Sequence, residues 1–257
     1  MMKIKHLSGC LLLFLALFIS NNVTANLQVQ NFQKANAYYN EAIYDSALMI
    51  YTDILSQGYS SHELYYNLGN TYFKLKDIPS AILYYEKALK INSSDEDTQH
   101  NLQIANNMIV DKIEVLPELF FRVWWNTFYT LLSANAWAYI SVVILLFTLL
   151  SAYLYFTSFN IKLRKLAFFS GIILLFLTVI SFGLASQKHY YTQQTNEAIV
   201  FVPTITIKSS PAQSSIDLFV LHEGTKLRIL DNANGWTKIK IANGSIGWIP
   251  QDVIKGI

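Results

Sequence analysis

The sequence predicts a multidomain membrane protein built, in order, from an all-α repeat solenoid, a transmembrane helical hairpin and a small all-β barrel. Three observations predict it. Tyr38, Ala47 and Tyr51 return as Tyr72, Ala81 and Tyr85, each 34 residues later, the mark of a structural repeat. Two long stretches carry no charge, one between Arg122 and Lys162 and one between Lys165 and Lys188. Short apolar–polar alternations separated by turn signals fill 196–257. Only 14% of the 257 residues are charged, against about 25% in soluble domains, and the deficit is concentrated in the two uncharged stretches.

Residues 1–25 read as a signal peptide. Lys3 and Lys5 give a basic start, Leu7 to Ile19 an apolar run, and Val23-Thr24-Ala25 small residues that set cleavage after Ala25. An uncleaved anchor is the alternative. Leu7-Ser8-Gly9-Cys10 has the look of a lipid-attachment box, but the apolar run follows Cys10 instead of preceding it. Cys10 is the only cysteine, so disulfides and thiolate chemistry have no place in a mature chain.

Residues 26–112 form the repeat region. Around the second set of recurring residues stand Tyr65-Tyr66-Asn67-Leu68-Gly69-Asn70, then Tyr72, Ala81, Tyr85, Ala88 and Leu89. This resembles the tetratricopeptide repeat. Gly69 and Ala81 are small where the two helices of a hairpin approach closely, Tyr72 and Tyr85 fill the space between hairpins, and Ala88 lets the next hairpin dock. The first repeat, about 28–61, departs from the pattern: Lys34 and Ala35 replace the usual Leu-Gly, and Tyr59 and Ser93 stand where each repeat would end in proline. Asp95, Glu96 and Asp97 suit a helix N-terminus, whose free N–H groups and dipole favour anions. Leu102, Ala105 and Ile109 then give an apolar stripe, as in a capping helix that covers the open end of a solenoid.

Residues 113–133 are dense in aromatics, with Phe120, Trp124, Trp125 and Phe128. They read as an interfacial helix leading into the membrane, because tryptophan favours the headgroup layer. A helix packed beneath the repeats has the same signature. The spans themselves are 134–156 and 166–186, each about the 20 apolar residues that cross a bilayer core. The loop 157–165 between them holds Lys162, Arg164 and Lys165 and no anion. Positive short loops mark the cytoplasmic side, so the hairpin puts both folded domains on the other side, where a signal peptide would also deliver the N-terminal half. The expected location is the inner membrane with both domains periplasmic. With no ionisable residue in either span, the helices read as anchors and not as an ion path.

A linker over 187–195 leads to a domain over 196–257. Ile205/Ile207, Ile216/Leu218/Val220 and Thr237/Ile239/Ile241 alternate with polar residues, a period of two that predicts strands with those residues on the buried face. Glu223-Gly224-Thr225, Asn234-Gly235 and Asn243-Gly244 supply turns. Five such strands in about 60 residues predict a small barrel. Lys208-Ser209-Ser210-Pro211, Leu221 to Lys226, Asn234-Gly235-Trp236 and Asn243 to Ile249 resemble a bacterial SH3 domain. The order of repeats, aromatic linker, two spans and SH3-like barrel resembles the Bacteroides aerotolerance protein BatE family. That resemblance implies an adaptor in an envelope stress or aerotolerance system, with von Willebrand A-domain membrane proteins among its partners.

No chemistry of catalysis is legible. No two histidines fall three or four apart, Asp95-Glu96-Asp97 lacks the spacing of a calcium loop, and neither a phosphate loop nor a serine elbow occurs. We expect no enzyme, no cofactor and, at a net charge of +2, no nucleic-acid partner. Binding surfaces remain. The repeat register points Phe32, Asn36, Tyr39, Glu63, Tyr66, Asn70 and Phe73 into a groove suited to an extended peptide or helix, although such aromatics also pack as core. Asn36 and Asn67 match positions of a carboxylate clamp, but Phe32 replaces its lysine. On the barrel, Trp236 and Trp248 form either a ligand surface or, more in keeping with small cores, part of the interior. Two functions compete: a scaffold for envelope proteins at the lipid bilayer, and a peptidoglycan-binding sensor. A tether for a separate hydrolase is a third.

Overall fold

The computed structural model describes residues 28–114, 119–194 and 196–257. The expected signal peptide lies outside them. The repeat region consists of α1 (28–40), α2 (Tyr44–Ser56), α3 (His62–Lys74), α4 (Ile78–Ile91) and α5 (Glu96–Asn106). The boundaries follow from capping. Ser61, Asp77 and Asp95 each accept a backbone N–H three residues on, removing one unpaired donor at the start of α3, α4 and α5. Both hairpins turn through a residue in left-handed conformation, Ala42 (φ 61°) and Lys76 (φ 64°), again 34 positions apart.

The repeat residues pack as their sizes require. A Cβ on Gly69 would meet the Tyr85 ring at 2.5 Å, so α3 and α4 cross where no side chain fits. Ala35 holds the equivalent place in the first repeat and is fully buried, as are Ala47, Ala81 and Ala88. Tyr72 stacks on Tyr84, their rings 5.3 Å apart and 5° from parallel. α5 buries Thr98 and Ala105 and lies against α4 as the expected cap.

A hydrogen-bond ladder repeats at the same 34-residue interval. The Tyr51 hydroxyl donates to Asn36 Oδ1 (2.5 Å), which also accepts from Asn67 Nδ2 (2.9 Å). The Tyr85 hydroxyl donates to Asn70 Oδ1 (2.7 Å), which also accepts from Asn101 Nδ2 (2.9 Å). Each rung joins three helices through one amide oxygen. Both tyrosines are almost wholly buried, so each hydroxyl needs its partner.

Among the described residues of the aromatic segment 113–133, the helix is α6 (Phe120–Thr130), and 113, 114 and 119 are not helical. It exposes Phe120, Phe121, Trp124, Trp125 and Phe128 and turns into α7 (Ala134–Thr157), capped by Ser133. α8 (Ile161–Gln193) runs for 33 residues, which corrects two expected boundaries. Only Ser158, Phe159 and Asn160 lie between the helices, so Lys162, Arg164 and Lys165 sit on the first turns of α8 and not in a loop. Asn160 caps that start through its side chain. At the other end, 187–193 continue the helix instead of forming a linker, because Lys188, Tyr191 and Thr192 find packing partners beyond the span. α7 and α8 are long and apolar enough to cross a membrane. Their leucines, isoleucines and phenylalanines are largely exposed, which a helix tolerates in lipid and not in water.

The C-terminal domain is a seven-stranded antiparallel sheet in the order β3-β2-β6-β5-β4-β1-β7. Its strands are β1 (Glu197–Val200), β2 (Thr204–Lys208), β3 (Asp217–His222), β4 (Lys226–Ala233), β5 (Trp236–Lys240), β6 (Ile246–Pro250) and β7 (Ile254–Gly256). Two strands more than expected appear, because β1 and β7 are short segments that pair with each other at one edge. Register shifts after Ile207 and Ile229 bend the sheet, as bulges do. It curls around a single core of Ala198, Val200, Ile207, Leu221, Leu227, Ile239, Ile241 and Ile249. Asn234 (φ 51°) and Gly235 (φ 78°) make the tight turn that their sequence signals.

The face of β3 is the reverse of the expected one. Ile216, Leu218 and Val220 are exposed, while Leu221 is buried and Phe219 packs on the core. Leu218 to Leu221 is apolar on both faces, so alternation alone does not say which side turns inward.

Burial raises the Tyr51 hydroxyl to about 12 and raises Tyr85 as well. A raised folded-state value means that this stabilisation is complete below pH 10 and is lost as pH climbs towards 12. We expect alkaline unfolding in that window, followed by tyrosinate absorbance. Tyr51→Phe should cost about 1 kcal/mol at neutral pH and should flatten the alkaline loss.

Candidate functional site

The groove residues divide among three environments. Tyr39, Tyr66, Asn70 and Phe73 come together around a concavity of about 240 Å³, with Lys74 and Ile104 completing its wall. Phe32 and Glu63 line a separate hollow of about 470 Å³ beside Tyr59. Asn36 lines neither, since its amide oxygen is occupied by Tyr51 and Asn67. Asn67 is spent on the same bond, so the arrangement is an inter-helix tie and not a carboxylate clamp. Asn70 borders the concavity while its oxygen is engaged by Tyr85 and Asn101, which leaves only its amide nitrogen to donate. Tyr66 is positioned by His62, stacked 6.3 Å away, and by Asn101, which donates to its hydroxyl at 3.3 Å. The concavity therefore offers aromatic walls, one amide donor and one ammonium, a set that suits an extended chain with apolar and anionic groups. Sequence reading missed Asn101 and Ile104. The 34-residue interval from Asn67 leads to Asn101; Ile104 has no such signal.

Trp236 and Trp248 do not enter the barrel core, contrary to the interior reading. Along β5 and β6 the buried residues are Thr237, Ile239, Gly247 and Ile249, so both tryptophans face outwards by the period of two. Each is half-buried. Trp236 pairs with Pro250, and Trp248 pairs with Lys238 on one side and Lys208 on the other. The Lys238 ammonium lies 5.9 Å from the Trp248 ring centroid, within cation–π range. A Cβ on Gly247 would collide with Ile207, so the glycine before Trp248 serves close strand packing. The outcome is an outward aromatic face with the Lys238 ammonium beside Trp248, while the Lys208 ammonium is paired with Asp217.

The two folded domains meet in a third place that sequence reading left open. Asp111, just past α5, accepts from the His222 backbone N–H (2.7 Å) and the Thr225 hydroxyl (2.7 Å), and the His222 ring nitrogen Nδ1 lies 2.8 Å away. Burial alone would raise the Asp111 carboxyl, but these hydrogen bonds outweigh it and hold the group below its ordinary value. Lys226 on β4 bridges Glu86 of α4 (2.9 Å) and Glu197 of β1 (3.1 Å). Burial pulls its ammonium down, yet the two carboxylates raise it overall. Its side chain is 38% exposed, so solvent screens the network to about 1 kcal/mol.

Beneath the charges lies a shared apolar core. Ile199 and Ile257 of the barrel pack with Ile82, Leu83 and Ala105 of the repeats. Gly224 (φ 82°) turns where a Cβ would strike Ile109 at 2.5 Å, so the sharp turn is also a point of close approach. Because Asp111 is held below its ordinary 3.8, its contribution is complete above that pH and is lost as pH falls below it. Hydrogen-exchange protection at His222–Lys226, taken relative to the intrinsic rate at each pH, should therefore fall in acid, and Asp111→Asn should remove that loss. Gly224→Ala should loosen the same segment at neutral pH, at a cost of about 1–3 kcal/mol.

The comparisons agree with this geometry. No curated protein matches the chain. Residues 62–95, which span α3 and α4, match the tetratricopeptide repeat family model, a match that supports protein–protein interaction. Residues 203–255, which span β2 to the start of β7, match the bacterial SH3 domain model, a match that supports cell-wall binding.

Proposed function

We propose that the chain is a non-enzymatic scaffold of the cell envelope, anchored by α7 and α8, with both folded domains on the non-cytoplasmic side. The observation that carries this reading is the common placement of the two domains at one end of the hairpin. Ser93, just after α4, donates to the Thr130 carbonyl at the end of α6, four residues before α7 begins (2.8 Å). Thr192, near the end of α8, donates to the Lys90 carbonyl of α4 (3.3 Å). Both membrane helices thus emerge against the repeats, and Lys162, Arg164 and Lys165 on the first turns of α8 lie at the opposite end. Repeats and barrel then form one body that presents its peptide groove at a fixed height above the bilayer. Confinement to a membrane raises effective concentration, so a modest groove affinity suffices. The order of domains favours an aerotolerance or stress system, with von Willebrand A-domain membrane proteins as the partners.

Lys74 and Ile104 are exposed groove-wall residues, so changing them tests the groove without emptying the core. Lys74→Glu with Ile104→Asp should cut co-purified envelope partner at least about tenfold, while melting temperature holds. An unchanged partner yield would end the scaffold reading. A reporter fused at Lys162 should read cytoplasmic; an external signal there would invert the topology.

The outward Trp248 favours a second reading, a peptidoglycan-binding sensor. Under that reading, full-length protein in detergent should sediment with purified sacculi, and Trp248→Ala should weaken sedimentation about tenfold. Equal sedimentation of the variant would remove this surface from consideration.

A further inference from the structure

The sequence leaves α6 two settings, an interfacial helix or a helix packed beneath the repeats, and its contacts decide between them. Phe121, Trp124, Phe128 and Leu131 recur at steps of three and four residues, so they share one side of the helix. Phe120 and Trp125 flank them. Phe120 is 74% exposed and Trp124 76%, which packing beneath the repeats would not leave. This side carries no charge, and Phe121, Trp124, Trp125, Phe128 and Leu131 border an apolar hollow of about 550 Å³. A contiguous apolar patch marks a membrane or protein contact. Arg122, Asn126 and Tyr129 follow the other side. There Tyr129 is buried, edge-on to Tyr191 of α8 with ring centroids 5.9 Å apart.

The height of α6 shows what covers its aromatic side. Ser181 of α8 donates to the Trp137 carbonyl of α7 at 3.0 Å, so these residues stand level. Ser181 comes four residues before Ala185, where the apolar run of α8 ends. Four residues at 1.5 Å each put the Trp137 backbone about 6 Å inside the hydrocarbon edge. Helical side chains lean towards the helix N-terminus, which in α7 is the surface end, so the Trp137 indole rises to that edge. Its Nε1 donates to the Tyr129 carbonyl at 3.2 Å, and the Phe128 ring centroid lies 6.1 Å from its own. The last turn of α6 therefore stands at the headgroup–acyl boundary. Phe128 is on the membrane side, while Tyr129 turns to Tyr191, past the end of the span. Tryptophan favours this layer. We propose that α6 lies in the headgroup–acyl boundary of the adjoining leaflet, with phospholipid acyl chains filling its aromatic hollow. The two spans fix where the chain crosses. α6 adds a third contact that fixes the tilt of the repeats, because Ser93 ties them to the Thr130 carbonyl. The aromatic side is uncharged, so this contact needs no anionic lipid. The inference rests on the membrane reading given above.

The test is spin-label depth in the full-length protein reconstituted into phosphatidylcholine vesicles, with Cys10→Ser removing the only native thiol. Single labels are attached through Phe120→Cys, Trp124→Cys, Arg122→Cys or Phe147→Cys. Each is read by collision with oxygen, which partitions into lipid, and with a water-soluble nickel chelate. Labels at Phe120 and Trp124 should lie about 5–10 Å into the boundary. The label at Arg122 should stay open to nickel, and the label at Phe147, midway along α7, should lie deeper than all the others. Melting curves report whether each variant folds, and Phe120 and Trp124 are independent reporters of one face. Nickel contact at Phe120 and Trp124 with a deep label at Phe147 overturns the placement of α6 and leaves the membrane reading intact. Labels at Phe120 and Trp124 shielded from both reagents overturn the lipid assignment in favour of a protein surface, a second copy or a partner. Nickel contact at Phe147 overturns the membrane reading itself, and the placement of α6 with it.

Discussion

The docking of the barrel onto α4 and α5 is the contact on which the rest of the architecture depends. Ile199 and Ile257 complete an apolar core begun by Ile82, Leu83 and Ala105, so neither domain encloses that core alone. Apolar burial supplies the attraction, which has no preferred direction. Direction comes from Asp111, whose carboxylate takes three contacts on one turn of the barrel, and from Lys226 between Glu86 and Glu197. A carboxylate buried this far is tolerable only because its partners are in place, so a shifted register would leave it unpaired.

The same docking explains the length of α8. A helix that merely crossed a bilayer would need about 20 residues; α8 has 33. Its last two turns lie against the repeats and carry the chain directly into β1. Lys188, 1% exposed, stands on this stretch with its ammonium 5.7 Å from the Tyr191 ring centroid, in a place where a linker would have left it in solvent. The membrane hairpin, the repeats and the barrel are therefore coupled by packing and not merely strung together.

Within the repeats, the packing and the lining of the concavity draw on the same residue types. Asn36 and Asn70 occupy equivalent positions, and both amide oxygens serve the ladder to Tyr51 and Tyr85. Only Asn70 also borders a concavity. The difference lies in the helix stacked on each: α5 ends the array and leaves Ile104 open beside Asn70, whereas at Asn36 the second repeat closes over the place. A register argument treats the two asparagines alike, since it counts positions along one helix and does not see its neighbour.

Element type and order were legible because they depend on local pattern. The 34-residue interval, the uncharged runs and the Asn-Gly turns each dictate backbone geometry within a few residues of themselves. Gly69 and Ala81 even announced the close helix crossing. The face of β3 and the outward setting of Trp248 were not legible, because apolar residues on both sides of a strand remove the contrast that assigns an inside; Trp236, by contrast, stands opposite the Thr237/Ile239 face that the alternation already assigned to the interior. Nor was the interface. Asp111 and Thr225 are 114 positions apart, and nothing in either neighbourhood names the other. Sequence by itself determined the helices, spans and strands, since hydrogen-bond pattern and solvent preference act locally. Only the tertiary structure decided which faces are shared, since that depends on which surfaces remain apolar once every element has formed.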